Sequence, residues 1–191
     1  MTVDNYKIGF TYEMQIRKIK PEHKRAWVAA VQQGVVNEFS DEDFIITDGW
    51  TSKNVIPTLA QNYILGAAFA ATTQVSTWYV GLHSTAYTAL ISDTFSGFLT
   101  AATEVTAYTG NPNRLAYVPN TISGGVFTNS SAPTTFTFTS PVTINGGFIT
   151  STLAQGNSTG YLISAVRTPT AKSLDVAEQL VVTAGVSLTS V

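Results

Sequence analysis

The feature that most constrains the fold is a long uncharged run from Thr134 to Thr150, TTFTFTSPVTINGGFIT. Its β-branched and aromatic residues follow a period of two, which is typical of a β-strand. An uncovered strand of this composition tends to aggregate, so the rest of the chain must cover it. We expect Phe136 and Phe138 to face a core, while the threonine face meets solvent or a neighbouring subunit.

The charged residues are unevenly distributed along the 191-residue chain. Residues 1–54 hold seven of the ten Lys and Arg residues and eight of the twelve Asp and Glu residues. The other 137 residues hold seven charged side chains, together with 25 Thr and 14 Ser. We therefore predict a charged N-terminal arm over residues 1–54 and a Thr/Ser-rich domain over residues 55–191. The chain has no cysteine, so it forms no disulfide.

One helix is predicted within the arm, over about residues 21–35. Pro21 suits the first helical turn, where its missing N–H would have no partner anyway. Trp27, Val28 and Val31 follow with the spacing of a single apolar stripe. A short alternating stretch precedes this helix, and an acidic turn follows it.

The domain is predicted to begin with a second helix at about residues 59–70. From Thr77 onward, short alternating segments are separated by Gly, Pro and Asn turn signals. This pattern predicts a mainly β fold, an antiparallel β-sandwich or jelly-roll-like domain, preceded by an arm with one or two short helices. The Asn145-Gly146 pair either closes a hairpin or lies in one long strand that contains a bulge.

Few residues have the spacing that catalysis or metal binding requires. A nucleophilic triad needs a histidine held by an acid, and the sequence contains no GxSxG elbow. We expect His83 to lie at a strand end with its polar edge exposed. The Asp41–Asp43 acidic run lacks the spacing of a calcium loop, and two distant histidines without cysteine make a poor zinc site. We predict no enzyme, no cofactor and no bound metal.

A basic cluster lies in the arm, but the arm has more acids than bases. The net charge of −2 does not favour a nucleic-acid partner, so we interpret the cluster as a solvated face or a contact for an acidic protein surface. The apolar run Tyr63–Ala71 is too short for a membrane helix, and we predict no membrane partner.

Several strand-and-turn phrases over about residues 60–191 resemble a known family. They are TWYVGLHSTAYTALISDTF, NPNRLAYVPN, GGVFTNSSAPTTFTFTSPVTINGGFITST, GNSTGYLISAVR and EQLVVTAGVSLTS. In this order they resemble the small structural proteins of tailed bacteriophages, the cement or decoration proteins that accompany a major capsid protein.

This resemblance implies a non-enzymatic virion protein, made in the host cytoplasm, that reinforces the capsid shell. The implied partners are the major capsid protein and the chain itself, as a dimer or trimer seated on the capsid surface. Two alternatives stay open: a tail, neck or fibre component, and a carbohydrate-binding β-sandwich module that uses surface tyrosines. The candidate capsid or subunit contacts are Arg17, Lys18, Lys20, Lys24, Arg25, Trp27, Val28, Val31, Tyr108 and Asn113.

Overall fold

The fold is known from a computed structural model, which describes residues 6–36 and 39–190. Two short 3-10 turns, Pro21–His23 and Asp41–Asp43, flank the first helix. In chain order the strands and helices are β1 (Tyr6–Ile19), α1 (Lys24–Gln33), β2 (Phe44–Lys53), α2 (Thr58–Phe69), β3 (Trp78–His83), α3 (Phe95–Ala102), β4 (Leu115–Tyr117), β5 (Val126–Thr128), β6 (Thr134–Thr137), β7 (Val142–Thr150), β8 (Leu162–Leu174) and β9 (Gln179–Ser190).

The strands form two antiparallel sheets. One has the order β2-β1-β9-β5, and β6 also pairs with β9 on the edge that β5 uses. The other has the order β4-β3-β7-β8. Side chains of both sheets share one core, which includes Met14, Leu82 and Phe136. The predicted mainly β, sandwich-type fold with short helices in the N-terminal part is confirmed.

The first strand belongs to the sandwich. It pairs with β9 from Tyr6 opposite Ser190 to Arg17 opposite Gln179, and with β2 on its other edge. Tyr12 and Met14 alternate with outward-facing residues and are fully buried in the core. Residues that we had assigned to an arm therefore supply two strands of the five-stranded sheet. The predicted boundary after residue 54 stays a prediction.

The apolar side chains of the opening run are covered, as its composition requires. Phe136 and Phe138 are fully buried, which confirms the predicted orientation. Thr135 is exposed, but Thr137 is buried and its hydroxyl accepts a hydrogen bond from Gln179. The threonines of β6 therefore differ: Thr135 faces solvent, Thr137 bonds to β9, and the buried Thr134 donates to the carbonyl oxygen of Ala116.

The Asn145-Gly146 pair lies inside β7, so the hairpin alternative is wrong and the bulge alternative is confirmed. The register between β7 and β8 shifts between Ile144 and Gly146. A Cβ atom at Gly146 would lie 2.0 Å from the carbonyl oxygen of Val166. A glycine is required because β7 is a central strand that β8 approaches closely at this point.

The third helix, α3, lies where the sequence analysis predicted only strands. The hydroxyl of Thr94 caps its N-terminus by accepting a hydrogen bond from the Gly97 N–H at 3.0 Å. Phe95, Phe98 and Ala102 are spaced at i, i+3 and i+7, and all three are buried. The helical spacing was present, but the period-two pattern on either side concealed it.

We predict that Gly81→Ala lowers the free energy of unfolding by about 1–3 kcal/mol, the usual range for overpacking a core. The new Cβ would lie 2.2 Å from the ring of Phe148, which is fully buried and held against Phe98 with ring centroids 5.4 Å apart. Chemical denaturation measures the change. Gly49→Ala is the matched control, since its Cβ meets nothing closer than 3.6 Å. An equal effect of both substitutions would show that the ring moves freely.

Candidate functional site

Two of the predicted contact residues on α1 are buried in the protein's own core. Trp27 and Val31 are 1% and 4% exposed, and the Trp27 indole N–H donates to the carbonyl oxygen of Ala177 at 2.5 Å. Phe39 and Phe44 pack edge-on against the indole ring. The expectation that Trp27 and Val31 face a partner is therefore wrong, because the apolar stripe of α1 anchors the helix to the β8–β9 turn. The third residue of the stripe, Val28, is half-buried in the same cluster.

The basic residues of the predicted cluster do not form one common surface feature. Arg17 pairs with Asp41 at 2.6 Å, and Lys18 pairs with Glu178 at 2.6 Å. The first pair joins β1 to the 3-10 turn before β2, and the second joins β1 to the turn between β8 and β9. Lys24 and Arg25 are exposed on α1, and Lys20 is half-buried at the end of the β1 strand.

The two predicted contacts near residue 110 differ in exposure to solvent. Tyr108 is 1% exposed and packs edge-on against Phe136, so it is not the exposed aromatic residue that we expected. Burial raises the pKa of Tyr108 to about 12. Asn113 is exposed and keeps its place as a candidate contact.

His83 is buried, which corrects the expectation of an exposed polar edge. Its Nδ1 lies 3.0 Å from the carbonyl oxygen of Thr85, and its Nε2 lies 3.1 Å from that of Val166. Burial lowers the pKa of His83 and outweighs the opposing effect of the two carbonyls. One ring nitrogen faces the backbone of β8 and the other faces the backbone of the loop after β3, so both contact the protein's own carbonyl oxygens.

Arg114 and Glu104 form a buried ion pair in the β region. Arg114 donates to both carboxylate oxygens of Glu104 at 2.6 and 2.8 Å, and their side chains are 0% and 6% exposed. The remaining guanidinium N–H groups reach the carbonyl oxygens of Thr152 and Asn157. The Gly156 N–H donates to Glu104 at 2.7 Å. This network ties several loops together and uses the groups that acid–base chemistry would need.

Asp93 is also used by its own loop. It accepts hydrogen bonds from the Tyr87 hydroxyl at 3.0 Å and from the Leu90 N–H at 2.8 Å. Across residues 6–36 and 39–190, no three His, Asp or Glu side chains group closely enough to hold a metal ion.

An apolar cavity of about 520 Å³ opens between the two sheets beside α2. The hydroxyls of its two tyrosines are engaged by the fold: Tyr63 accepts from the Val75 N–H, and Tyr117 donates to the Ala184 carbonyl. The cavity therefore presents mainly apolar and aromatic surface. Its lining residues include Phe10, Tyr63, Ile64, Trp78, Tyr117 and Phe127.

The outward face of α2 carries large exposed apolar side chains beside the polar Gln61 and Asn62, while its inward face packs on the core through Ala60 and Tyr63. Leu65, Leu90 and Ile91 line one groove of about 640 Å³. We call the exposed set the α2 surface, which consists of Leu59 (54% exposed), Leu65 (54%), Phe69 (85%), Leu90 (53%) and Ile91 (59%).

Three of these side chains, Leu65, Leu90 and Ile91, line the same groove, and Leu59 and Phe69 lie on α2 on either side of Leu65 in the chain. Phe69 follows Leu65 by four residues, so the two lie on the same side of the helix. The Thr58 N–H donates to the Ile91 carbonyl at 2.8 Å, which holds the loop against the start of α2 beside Leu59. The sequence predicts this helix but not its outward face. The available signal was that Leu65 and Phe69 lie on a different side of the helix from Ala60 and Tyr63, so a single inward face could not bury all four.

Comparison with known proteins adds no family to this description: no protein-family model matches the chain, and no curated protein matches it. In the part of the chain that the structure describes, no helix has the length and apolar character needed to cross a membrane.

We predict that Glu104→Ala lowers the free energy of unfolding by about 3–5 kcal/mol, because it leaves the buried Arg114 charge without its partner. Asp48→Ala is the matched control. It breaks an ion pair with Lys172 in which the side chains are 43% and 20% exposed, so we expect little or no loss, because solvent screens exposed ion pairs. Urea denaturation of both variants tests the difference. Similar losses would mean that the Arg114–Glu104 pair has little structural role.

Proposed function

We propose that this protein is a non-enzymatic virion structural protein that binds and reinforces the capsid shell of a tailed bacteriophage. The observation that carries the structural, assembly-forming part of the proposal is the α2 surface. Exposed apolar patches of roughly 300–600 Å² are often functional, and contact with protein is one such function. A protein that works through such a surface acts by burying area against its neighbours.

The chemistry around α2 supports contact with protein. From Asn54 to Ser92 the chain contains no Asp, Glu, Lys or Arg. Burying charged side chains against a neighbour costs several kcal/mol per ion unless each is well paired. This segment avoids that cost, and removing its exposed apolar surface from water lowers the free energy of the complex.

The positions of the ionisable groups support the non-enzymatic part of the proposal. A general acid or base must reach a proton on a substrate. His83, Glu104 and Asp93 instead bond to the protein's own backbone and side chains. Their contacts have the pattern of a structural framework.

The assignment to a capsid, and to its outer surface, follows the resemblance of the strand-and-turn phrases to cement and decoration proteins. The carbohydrate-binding alternative would have to use surface tyrosines such as Tyr161, which is 37% exposed, because Tyr108 and Tyr117 are buried. The tail, neck or fibre alternative differs from a capsid role in copy number, so counting the chains per particle separates them.

The proposal predicts that this chain is present in hundreds of copies per purified particle, in a fixed ratio to the major shell protein, because a cement protein repeats with the shell. Quantitative mass spectrometry of purified particles measures this ratio. A handful of copies would move the protein to the tail or neck. Absence from particles would contradict a virion role altogether.

A further inference from the structure

We propose that the α2 surface is the interface through which two copies of this chain associate, with their α2 helices packed antiparallel about a two-fold axis near Leu65. The inference rests on the proposed function and names the partner for the surface that carries it. In a two-fold interface one patch meets its own copy, so the patch must be self-complementary. Size, charge and shape of the α2 surface all meet this requirement.

The size is appropriate. The five side chains of the α2 surface are each 53–85% exposed. A fully exposed aromatic side chain such as that of Phe69 presents roughly 150–250 Å², and each aliphatic one presents less. Together the five offer on the order of 400 Å² of apolar surface. A stable interface buries about 800 Å² per partner. The α2 surface supplies about half of this area, and polar neighbours such as Asn62 extend the contact at the rim.

The absence of charge on the α2 surface also suits a two-fold interface. Like charges that face each other across a two-fold axis repel, and a self-associating surface must either pair them or exclude them. The α2 surface and the lining of its groove contain no ionisable side chain. A partner that recognises charge would find none here, whereas a second copy meets a surface as neutral as its own.

The shape combines a projecting side chain with a groove that receives it. Phe69, 85% exposed, lies four residues after Leu65, and Gln61 lies four residues before it. Antiparallel helices that cross at Leu65 therefore place Phe69 of one copy opposite Gln61 of the other. Gln61, Leu90 and Ile91 line the groove of about 640 Å³, so each Phe69 enters the partner's groove. The two-fold operation repeats this contact, and aromatic residues that fill pockets are typical interface anchors.

Sedimentation velocity of the isolated full chain across a concentration series tests the interface. We expect a concentration-dependent dimer for the unmodified chain and an increase of about tenfold or more in the dissociation constant for Phe69→Ser. Ile46→Ser is the matched control, because Ile46 is 61% exposed on β2 and lies outside the α2 surface. Its dissociation constant should equal that of the unmodified chain. A chain that stays monomeric throughout, or an equal effect of both variants, would overturn the proposal.

The absence of cysteine from the sequence allows a direct test of the geometry. Leu65→Cys places one thiol beside the two-fold axis, where the two copies should form a disulfide under mild oxidation. Ile46→Cys should form little. Equal dimer yields for the two variants, or none for Leu65→Cys, would overturn the two-fold arrangement. Matching thermal unfolding curves establish that every variant is folded.

These results are independent of the particle count. A chain that dimerises in solution but is absent from particles would retain the interface and contradict the proposed function. A monomeric chain present in hundreds of copies per particle would retain the function, overturn the second copy as the partner, and assign the α2 surface to the shell protein.

Discussion

The antiparallel pairing of β1 with β9 is the contact on which the rest of the structure depends. It joins the first and last described strands over twelve residue pairs, and β9 then receives β5 and β6 on its opposite edge. Because β1 is fixed in this way, β2 and α1 are fixed with it. The Trp27 indole reaches Ala177, just before β9, which attaches α1 to the same part of the sheet. The charged N-terminal segment is consequently part of the scaffold.

Several ionisable groups of this protein are buried, and several large apolar side chains are exposed. The Arg114–Glu104 pair and His83 are buried, where desolvation is costly and their hydrogen bonds hold loops and strands in place. Leu65 and Phe69 are exposed, so their apolar surface stabilises the protein only when another surface covers it. A fold that buries such ionisable groups and leaves several large apolar side chains exposed around α2 is suited to assembly. This contrast is the physical basis for proposing a structural role.

Local patterns in the sequence were sufficient to predict the elements that depend on local chemistry. The helix after Pro21, the helix α2 and the burial of Phe136 all followed from spacing that each segment carries by itself. The pairing of β1 with β9 could not be predicted this way, because it joins residues more than 160 positions apart. Local composition does not specify which distant strand will cover which edge.

The candidate site was harder to predict for a related reason. Trp27 and Val31 form an apolar stripe that serves equally well for a partner or for the chain's own core, and the choice depended on Ala177. The Tyr108 side chain was hidden by Phe136, which the sequence places 28 residues away. Conversely, the exposure of Phe69 became visible only when the packing of Tyr63 showed which face of α2 was inward.

The most direct test of the central claim, that the α2 surface is covered when the protein assembles, is hydroxyl-radical footprinting of Phe69. The protein is oxidised briefly at low and at high concentration and within purified particles, and Ile46 serves as the internal reference. Our account predicts rapid oxidation of Phe69 in dilute protein and strong protection in the assembled states, with Ile46 unchanged between the dilute and concentrated solutions. Equal oxidation of Phe69 in every state would contradict it.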